Sequence, residues 1–274
     1  MSDEIRPSAI AGSWYPKDAD QLKATIQHYL DEAQITPLNR PVRGLISPHA
    51  GYLYSGPVAA YGYKQLMGSQ FDLVVLLSPM HHYPQGRYIV CDCKNYETPL
   101  GLVPVDWEIV RSIDRELELT YIASDDEHAL EIQLPFLQVV LESFKILPIM
   151  VGHGQLHKCT DLVNALLPIF QKNRVLLVIS TDLHHIPDYQ TVIQRDEHLA
   201  HALEIFSLTE IYKILLQPEC SVCGRVPLYA GLQLLDKLGA RELTILDHRN
   251  SGDITGEKGR GQYTVGYLSA VVTE

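Results

Sequence analysis

Three short stretches of the chain are almost uninterruptedly apolar, and each ends in a small turn that carries histidine. Residues 43–49 read Arg-Gly-Leu-Ile-Ser-Pro-His, residues 73–82 read Leu-Val-Val-Leu-Leu-Ser-Pro-Met-His-His, and residues 175–185 read Val-Leu-Leu-Val-Ile-Ser-Thr-Asp-Leu-His-His. A strand wet on one face alternates polar and apolar positions, so runs without alternation predict strands buried on both faces, inside a parallel or mixed sheet. Between them, helical spacing of apolar residues appears over 18–33, 56–67, 106–117, 127–142, 160–171, 196–203 and 227–238. Strand next to helix, repeated along the chain, is the α/β signature. Further strands are predicted over 88–93, 144–151, 243–247 and 263–272. The last two read as a hairpin around Asn-Ser-Gly-Asp at 250–253 and a Gly-rich loop at 256–261, which is expected to be exposed and mobile. No linker, charge block or low-complexity segment divides the sequence, so residues 1–274 are read as one domain with long functional loops. The likeness between 73–82 and 176–185 fits either two related halves or two independently buried strands.

In open α/β sheets the ligand crevice lies beyond the carboxyl ends of the strands. All three histidine-bearing turns should therefore open onto one edge, bringing His49, His81, His82, His184, His185 and Asp182 toward one pocket. Such a group suits a transition metal or acid-base chemistry better than it suits packing.

Composition narrows the field. With 46% apolar residues the chain can bury a sizeable core. A net charge of −11 and a pI near 5.5 argue against nucleic acid and against an anionic membrane surface as partners, because both require clustered Lys and Arg. The N-terminus lacks an apolar signal-like run, and no window reaches the roughly 18 apolar residues of a transmembrane helix. A soluble protein retained in the cytosol is expected. Five cysteines, at 91, 93, 159, 220 and 223, do not read as a disulfide framework in a chain of this size, and reduced thiols are expected.

Individual motifs refine the chemistry. His49 sits between Pro48, which restrains the backbone, and Gly51, which permits a sharp turn. His81 follows its own strand in the same manner, and the coincidence strengthens both as ligands. Asp182 and His185 are three apart, close enough for the carboxylate to orient an imidazole or complete a metal site, with His185 preferred over His184; the bland alternative is a helix cap beside solvated histidines. Glu127, His128 and Glu131 open a helix, with Glu127 and Glu131 on one face. His128, Glu131 and His82 are candidates to support the ligands from behind, although acidic residues also favour helix N-termini for dipole reasons. Cys223 precedes a predicted helix whose dipole would lower a thiol pKa, so it is a candidate soft ligand. Cys220-x-x-Cys223 also permits a zinc or redox reading, but no second such pair completes a four-cysteine site. His153 and His248 are read as structural loop histidines.

Taken in order, Gly-Ser-Trp-Tyr-Pro at 12–16, Ser-Pro-His-Ala-Gly-Tyr at 47–52, Ser-Pro-Met-His-His at 78–82, Glu-His-Ala-Leu-Glu-Ile-Gln-Leu-Pro at 127–135, Ser-Thr-Asp-Leu-His-His at 180–185, Cys-Gly-Arg at 223–225 and Asn-Ser-Gly-Asp at 250–253 resemble the Memo family. Its prokaryotic members are called AmmeMemoRadiSam system protein B. The resemblance implies a fold similar to class III extradiol ring-cleaving dioxygenases, whose non-haem Fe(II) is held by two histidines and a carboxylate. On that pattern His49 and His81 match the histidine ligands, His185 matches the catalytic acid-base histidine, and Cys223 stands where those enzymes carry their carboxylate. Asp182 is the additional polar group that the family places in the pocket. A thiolate is softer than a carboxylate, so the site is expected to take copper or to hold iron with altered redox properties, zinc being less favoured. Eukaryotic relatives are associated with phosphotyrosine-peptide binding, for which no Arg cluster is evident here.

The expected function is that of a metal-dependent redox protein acting on a small molecule, with His49, His81 and Cys223 on iron or copper and Asp182 and His185 handling protons. The rival expectation is a module that uses the same crevice to bind a peptide or partner without turnover. Zinc-dependent hydrolysis is a third, which the ligand types allow and the resemblance does not favour.

Overall fold

The computed structural model describes residues 5–82, 86–152, 156–172 and 174–274. From the N-terminus the elements are β1 (Ile5–Arg6), α1 (Ala19–Glu32), β2 (Val42–Ser47), α2 (Tyr52–Gln65), β3 (Leu73–Pro79), β4 (Tyr88–Cys91), β5 (Asn95–Thr98) and β6 (Gly101–Pro104). Next come α3 (Trp107–Leu117), β7 (Thr120–Ile122), α4 (His128–Glu131), α5 (Leu134–Val140), β8 (Lys145–Val151), α6 (Thr160–Lys172) and β9 (Val175–Ser180). The last third holds β10 (His185–Asp188), α7 (Tyr189–Glu204), α8 (Leu208–Leu215), α9 (Arg225–Lys237), β11 (Glu242–Asn250), α10 (Ser251–Thr255) and β12 (Arg260–Thr273).

The expected α/β class is the observed one: a mixed sheet flanked by helices, around one apolar core. Its strand order is β10-β12-β2-β9-β3-β8-β4-β7, with β11 paired to β12, and a separate small sheet runs β1-β5-β6. The central four strands, β2, β9, β3 and β8, are mutually parallel. Every residue of β3 and β9 is buried, which is why neither shows alternation in sequence. Helix α9 lies on β9, β3 and β2, while α2 packs on β2 and β12. Strands β3 and β9 lie side by side, Leu73 opposite Val175 through Leu77 opposite Ile179, and both are buried throughout. No helix among the described residues is long and apolar enough to cross a membrane.

Departures from the sequence reading have local causes. The helix expected over 127–142 is two helices, α4 and α5, because Pro135 sits in the first turn of α5, where a missing N–H is tolerated, whereas a continuous helix would require that donor. Helix α7 starts at Tyr189 rather than Asp196, since Asp188 accepts from the Thr191 amide (2.8 Å) and caps it there. The two- to four-residue strands β1, β5, β6, β7 and β10 are too short to show a period, whereas α8 does carry a helical apolar spacing, at Ile211, Ile214 and Leu215, that the sequence reading passes over. The C-terminal hairpin is present, Glu242 opposite Thr273 through Asn250 opposite Gly266, and its connection begins with a capping box between Asn250 and Asp253. The glycine loop at 256–261 is exposed. His248 lies within β11, not in a loop.

One buried cation fastens the N-terminal segment. Arg6, 2% exposed, bonds Asp125 Oδ1 through Nε (3.1 Å) and Nη2 (2.6 Å), pairs with Glu131, donates to the Glu127 carbonyl (3.0 Å) and lies over the Tyr96 ring. Glu131 in turn accepts from Ser8 Oγ (2.6 Å), the Ala9 amide (2.9 Å) and the Tyr15 hydroxyl (2.5 Å), tying residues 8–15 to α4. Removing one member of such a cluster strands buried charge. Arg6→Met should therefore lower unfolding free energy by about 3–5 kcal/mol. Urea denaturation checks this, and a loss below about 1 kcal/mol would contradict it.

Candidate metal centre

Strand β9 lies between β2 and β3, so the carboxyl ends of all three are neighbours. His49 comes two residues after β2, His81 two after β3 and Asp182 two after β9. The fourth contributor arrives from the opposite direction, in the turn before α9. There a Cβ on Gly224 would fall 2.5 Å from Thr181 Cβ and 2.7 Å from the Ser180 carbonyl, so only glycine lets the chain come this close. Cys223 Sγ consequently rests 3.0 Å from His49 Nε2 and 3.3 Å from the Asp182 amide nitrogen. Ligand atoms of His49, His81 and Cys223 all lie within 4.8 Å of one another.

Hydrogen bonds fix which nitrogen each imidazole presents. The Tyr63 hydroxyl donates to Gln133 Oε1 (2.6 Å), which orients the amide so that Nε2 donates to the Pro48 carbonyl (3.0 Å) and to Ser180 Oγ (2.9 Å). Ser180 spends its own proton on the Ala129 carbonyl (2.6 Å), leaving its remaining lone pair to accept from His49 Nδ1–H (3.0 Å). His49 Nε2 therefore carries the lone pair, facing Cys223. His81 Nδ1 is 2.9 Å from Glu127 Oε1, a carboxylate that can only accept, so its Nε2 is likewise left as donor to a metal. This is the tautomer that metal-bound histidines adopt, set before any metal arrives.

Charge states agree with that arrangement. Burial, aided by His81, holds the His49 imidazole well below its usual range, and burial with the nearby His49 pushes His128 down to about 3. Burial opposes ionisation of Glu127, yet the hydrogen bond and charge of His81 prevail and hold it at about 2. Asp182 is raised to about 6 by burial, against the pull of His185 and the His49 and Ala50 amides. The Cys223 thiol is pushed up by burial and by Asp182. The direction is opposite to the dipole-lowered thiol expected from sequence, because desolvation and a neighbouring carboxylate outweigh one helix end. His185 is lowered by burial, and its Nε2 is buried without a hydrogen-bond partner; its Nδ1 is 3.5 Å from the Tyr263 hydroxyl.

Other predicted residues fall as follows. His128 stacks on His81 with ring centroids 4.6 Å apart and packs at a tilt against Trp14 at 4.2 Å, while its Nδ1 is 3.3 Å from Glu127 Oε1. His81, Glu127 and His128 form a second group of metal-type donors. Glu127, however, already accepts from the His81 amide (2.5 Å) and the Ala129 amide (2.9 Å) as well as from His81 Nδ1, so its oxygens are engaged as the cap of α4. Glu131 is a correction: it ties down the N-terminal segment, and the carboxylate behind His81 is Glu127. His82 is exposed. His184 faces away, with Nδ1 2.7 Å and its amide 3.1 Å from Asp196 Oδ1. His153 lies outside the described residues. All five cysteines are free thiols, with Cys91, Cys93 and Cys159 buried. Two cavities flank the centre, one of about 600 Å³ lined by His81, Ser221, Cys223 and Arg225, the other of about 450 Å³ beside Ala50, Trp14 and Tyr263. Ser180 and Gln133 gave no signal in sequence, since nothing there links residue 133 to Pro48 or Ser180.

Fold and site together define an α/β protein with a histidine- and thiol-lined pocket at the carboxyl edge of its sheet. Residues 6–271 match the family model described as Memo-like protein. The chain is similar to MEMO1 family proteins of Thermotoga maritima (35% identity, covering 97% of this chain and 99% of the relative), Aquifex aeolicus (33%; 97% and 98%) and Methanosarcina mazei (31%; 98% and 99%). It belongs to the Memo family.

The His184–Asp196 pair predicts a pH dependence. Burial alone would lower His184, but the Asp196 hydrogen bond, with help from Cys220, raises it to about 9. A raised histidine stabilises the fold fully below its unfolded value near 6.5 and loses that contribution as pH climbs through about 9. Stability should thus fall by about 3 kcal/mol between those limits, and Asp196→Asn should flatten the decline. Urea midpoints taken across this range test it; equal slopes in both proteins would contradict it.

Proposed function

We propose that this protein is a metal-dependent redox protein that binds one iron or copper ion through His49, His81 and Cys223 and acts on a small molecule bound in one of the two cavities that flank the centre. The carrying observation is the convergence of three donor atoms within 4.8 Å, two of them imidazoles held in the metal-binding tautomer by Ser180 and Glu127. The donor set fits the group: two neutral nitrogens and one sulfur suit a borderline to soft transition ion. The bound ion would supply the electron-transfer chemistry that none of these side chains can perform. His185, with its Nε2 buried and unpartnered, is suited to take a proton from substrate or return it, being neutral near pH 7. Asp182, raised to about 6 and bonded to the His49 amide (2.7 Å), couples proton position to the ligand loop. The half-open Cys223 turn and the larger cavity leave His81 and Cys223 accessible.

Metal analysis after anaerobic purification is the test. About one iron or copper per chain is expected, falling at least tenfold in His49→Ala and His81→Ala, while Ser180→Ala should weaken affinity by about 10–100-fold through loss of the tautomer lock. Unchanged occupancy in all three would remove the proposed centre. His185→Gln should keep the metal and lose about 10²–10⁴ of any turnover found with small phenols or amines. A protein whose ligand binding is metal-independent and whose His185→Gln variant is indistinguishable from wild type would instead be a binding module.

A further inference from the structure

The second cavity has a chemistry of its own. Its walls carry Trp14, Tyr54, Tyr263 and Tyr267, four aromatic rings around about 450 Å³, room for one small ring and a short tail. Tyr263 is 65% exposed and Tyr54 39%, so two large aromatic rings of the wall face solvent, whereas Tyr267 is buried. The cavity also touches the proposed centre. Trp14 packs at a tilt against His128, and Ala50 and Gly51 follow His49 directly; the Tyr263 ring meets His185 edge-on with centroids 6.3 Å apart.

Charge is equally specific. Glu257 is the single ionisable acid or base other than tyrosine among the described lining residues, and no Lys or Arg lines the space. Of the cations in the adjoining loop, Lys258 Nζ pairs with Asp253 (2.9 Å) and lies over the Tyr189 ring, while Arg260 is opposite Asp188 in the strand register, where its charge favours that carboxylate. Glu257 is exposed and has no ion-pair partner among the described residues. Electron-rich ring faces and one uncompensated carboxylate attract a cation and repel an anion.

We infer that the cavity walled by Trp14, Tyr54, Tyr263 and Tyr267 binds an aromatic amine, its ring among these side chains and its ammonium group at the Glu257 rim. This deepens the proposed function by giving its substrate class, and it rests on that reading only for turnover, not for binding. A phosphorylated or carboxylated aromatic would meet no counter-ion here and would carry its charge into a ring of tyrosines and Glu257.

The chain has two tryptophans, Trp14 and Trp107, so Trp107→Phe makes Trp14 the sole reporter. Full-length protein treated with EDTA is titrated with phenethylammonium, with 3-phenylpropanoate as an anion of similar shape, and with n-butylammonium lacking the ring. Saturable change in Trp14 emission is expected with phenethylammonium, at an affinity at least about tenfold tighter than for either control. Glu257→Gln, a change on an exposed loop, should bring phenethylammonium and 3-phenylpropanoate within about threefold of each other, and Tyr263→Ala should weaken the amine without restoring the anion. Equal or tighter binding of 3-phenylpropanoate, or no saturable response to the amine, overturns the inference. Because metal is absent from this titration, its failure and a failed metal-binding test are separate results.

Discussion

The parallel pairing of β9 between β2 and β3 is the constraint from which the site follows. Register places Ser47 beside Ser180, so the turns that leave these strands start from one line and deliver His49, His81 and Asp182 to one point. Burial on both faces makes slippage costly, because a one-residue shift would exchange every side chain between two packed layers. The core therefore does more than stabilise the chain. It sets the positions of donors that lie far apart in sequence, and the Ser180 hydroxyl, at the end of the central strand, converts that placement into a defined histidine tautomer.

The electrostatics of the pocket share one direction. His49 and His128 are kept neutral, while burial discourages charge on Asp182 and Cys223. A cation bound among them would favour both the thiolate and the carboxylate, releasing protons as it bound. Glu127 supplies the contrast: it is buried as deeply, yet ionised, because two backbone amides and His81 satisfy it. Asp182 also accepts backbone amides, so the difference between the two buried carboxylates lies in the imidazole: His81 bonds Glu127 directly and its charge favours the ionised form.

Sequence made the strand-end donors legible because each obeys the same rule, an apolar run followed by a turn and a ligand-type residue. His49, His81, Asp182 and His185 could be read that way, and the Memo resemblance added the place of Cys223. The supporting atoms could not. Gln133 looks like one more helical residue, and only the break before Pro135 turns it toward Pro48, 85 positions earlier. Glu127 and Glu131 are indistinguishable by helical face, yet one holds His81 and the other holds Arg6, a choice made by tertiary contacts. The Cys223 thiol responds to burial and to Asp182 as well as to a helix end, and Asp182 comes beside it only in the folded chain. The aromatic wall was equally invisible, as Trp14 and Tyr263 lie at opposite ends of the chain.

X-ray absorption spectroscopy of metal-loaded protein measures directly whether a sulfur and two imidazoles hold one ion, as proposed. One sulfur scatterer at about 2.3 Å beside two imidazole nitrogens is expected, with the sulfur lost in Cys223→Ser. A shell of nitrogen and oxygen alone in the unmodified protein, the same in Cys223→Ser, would contradict it.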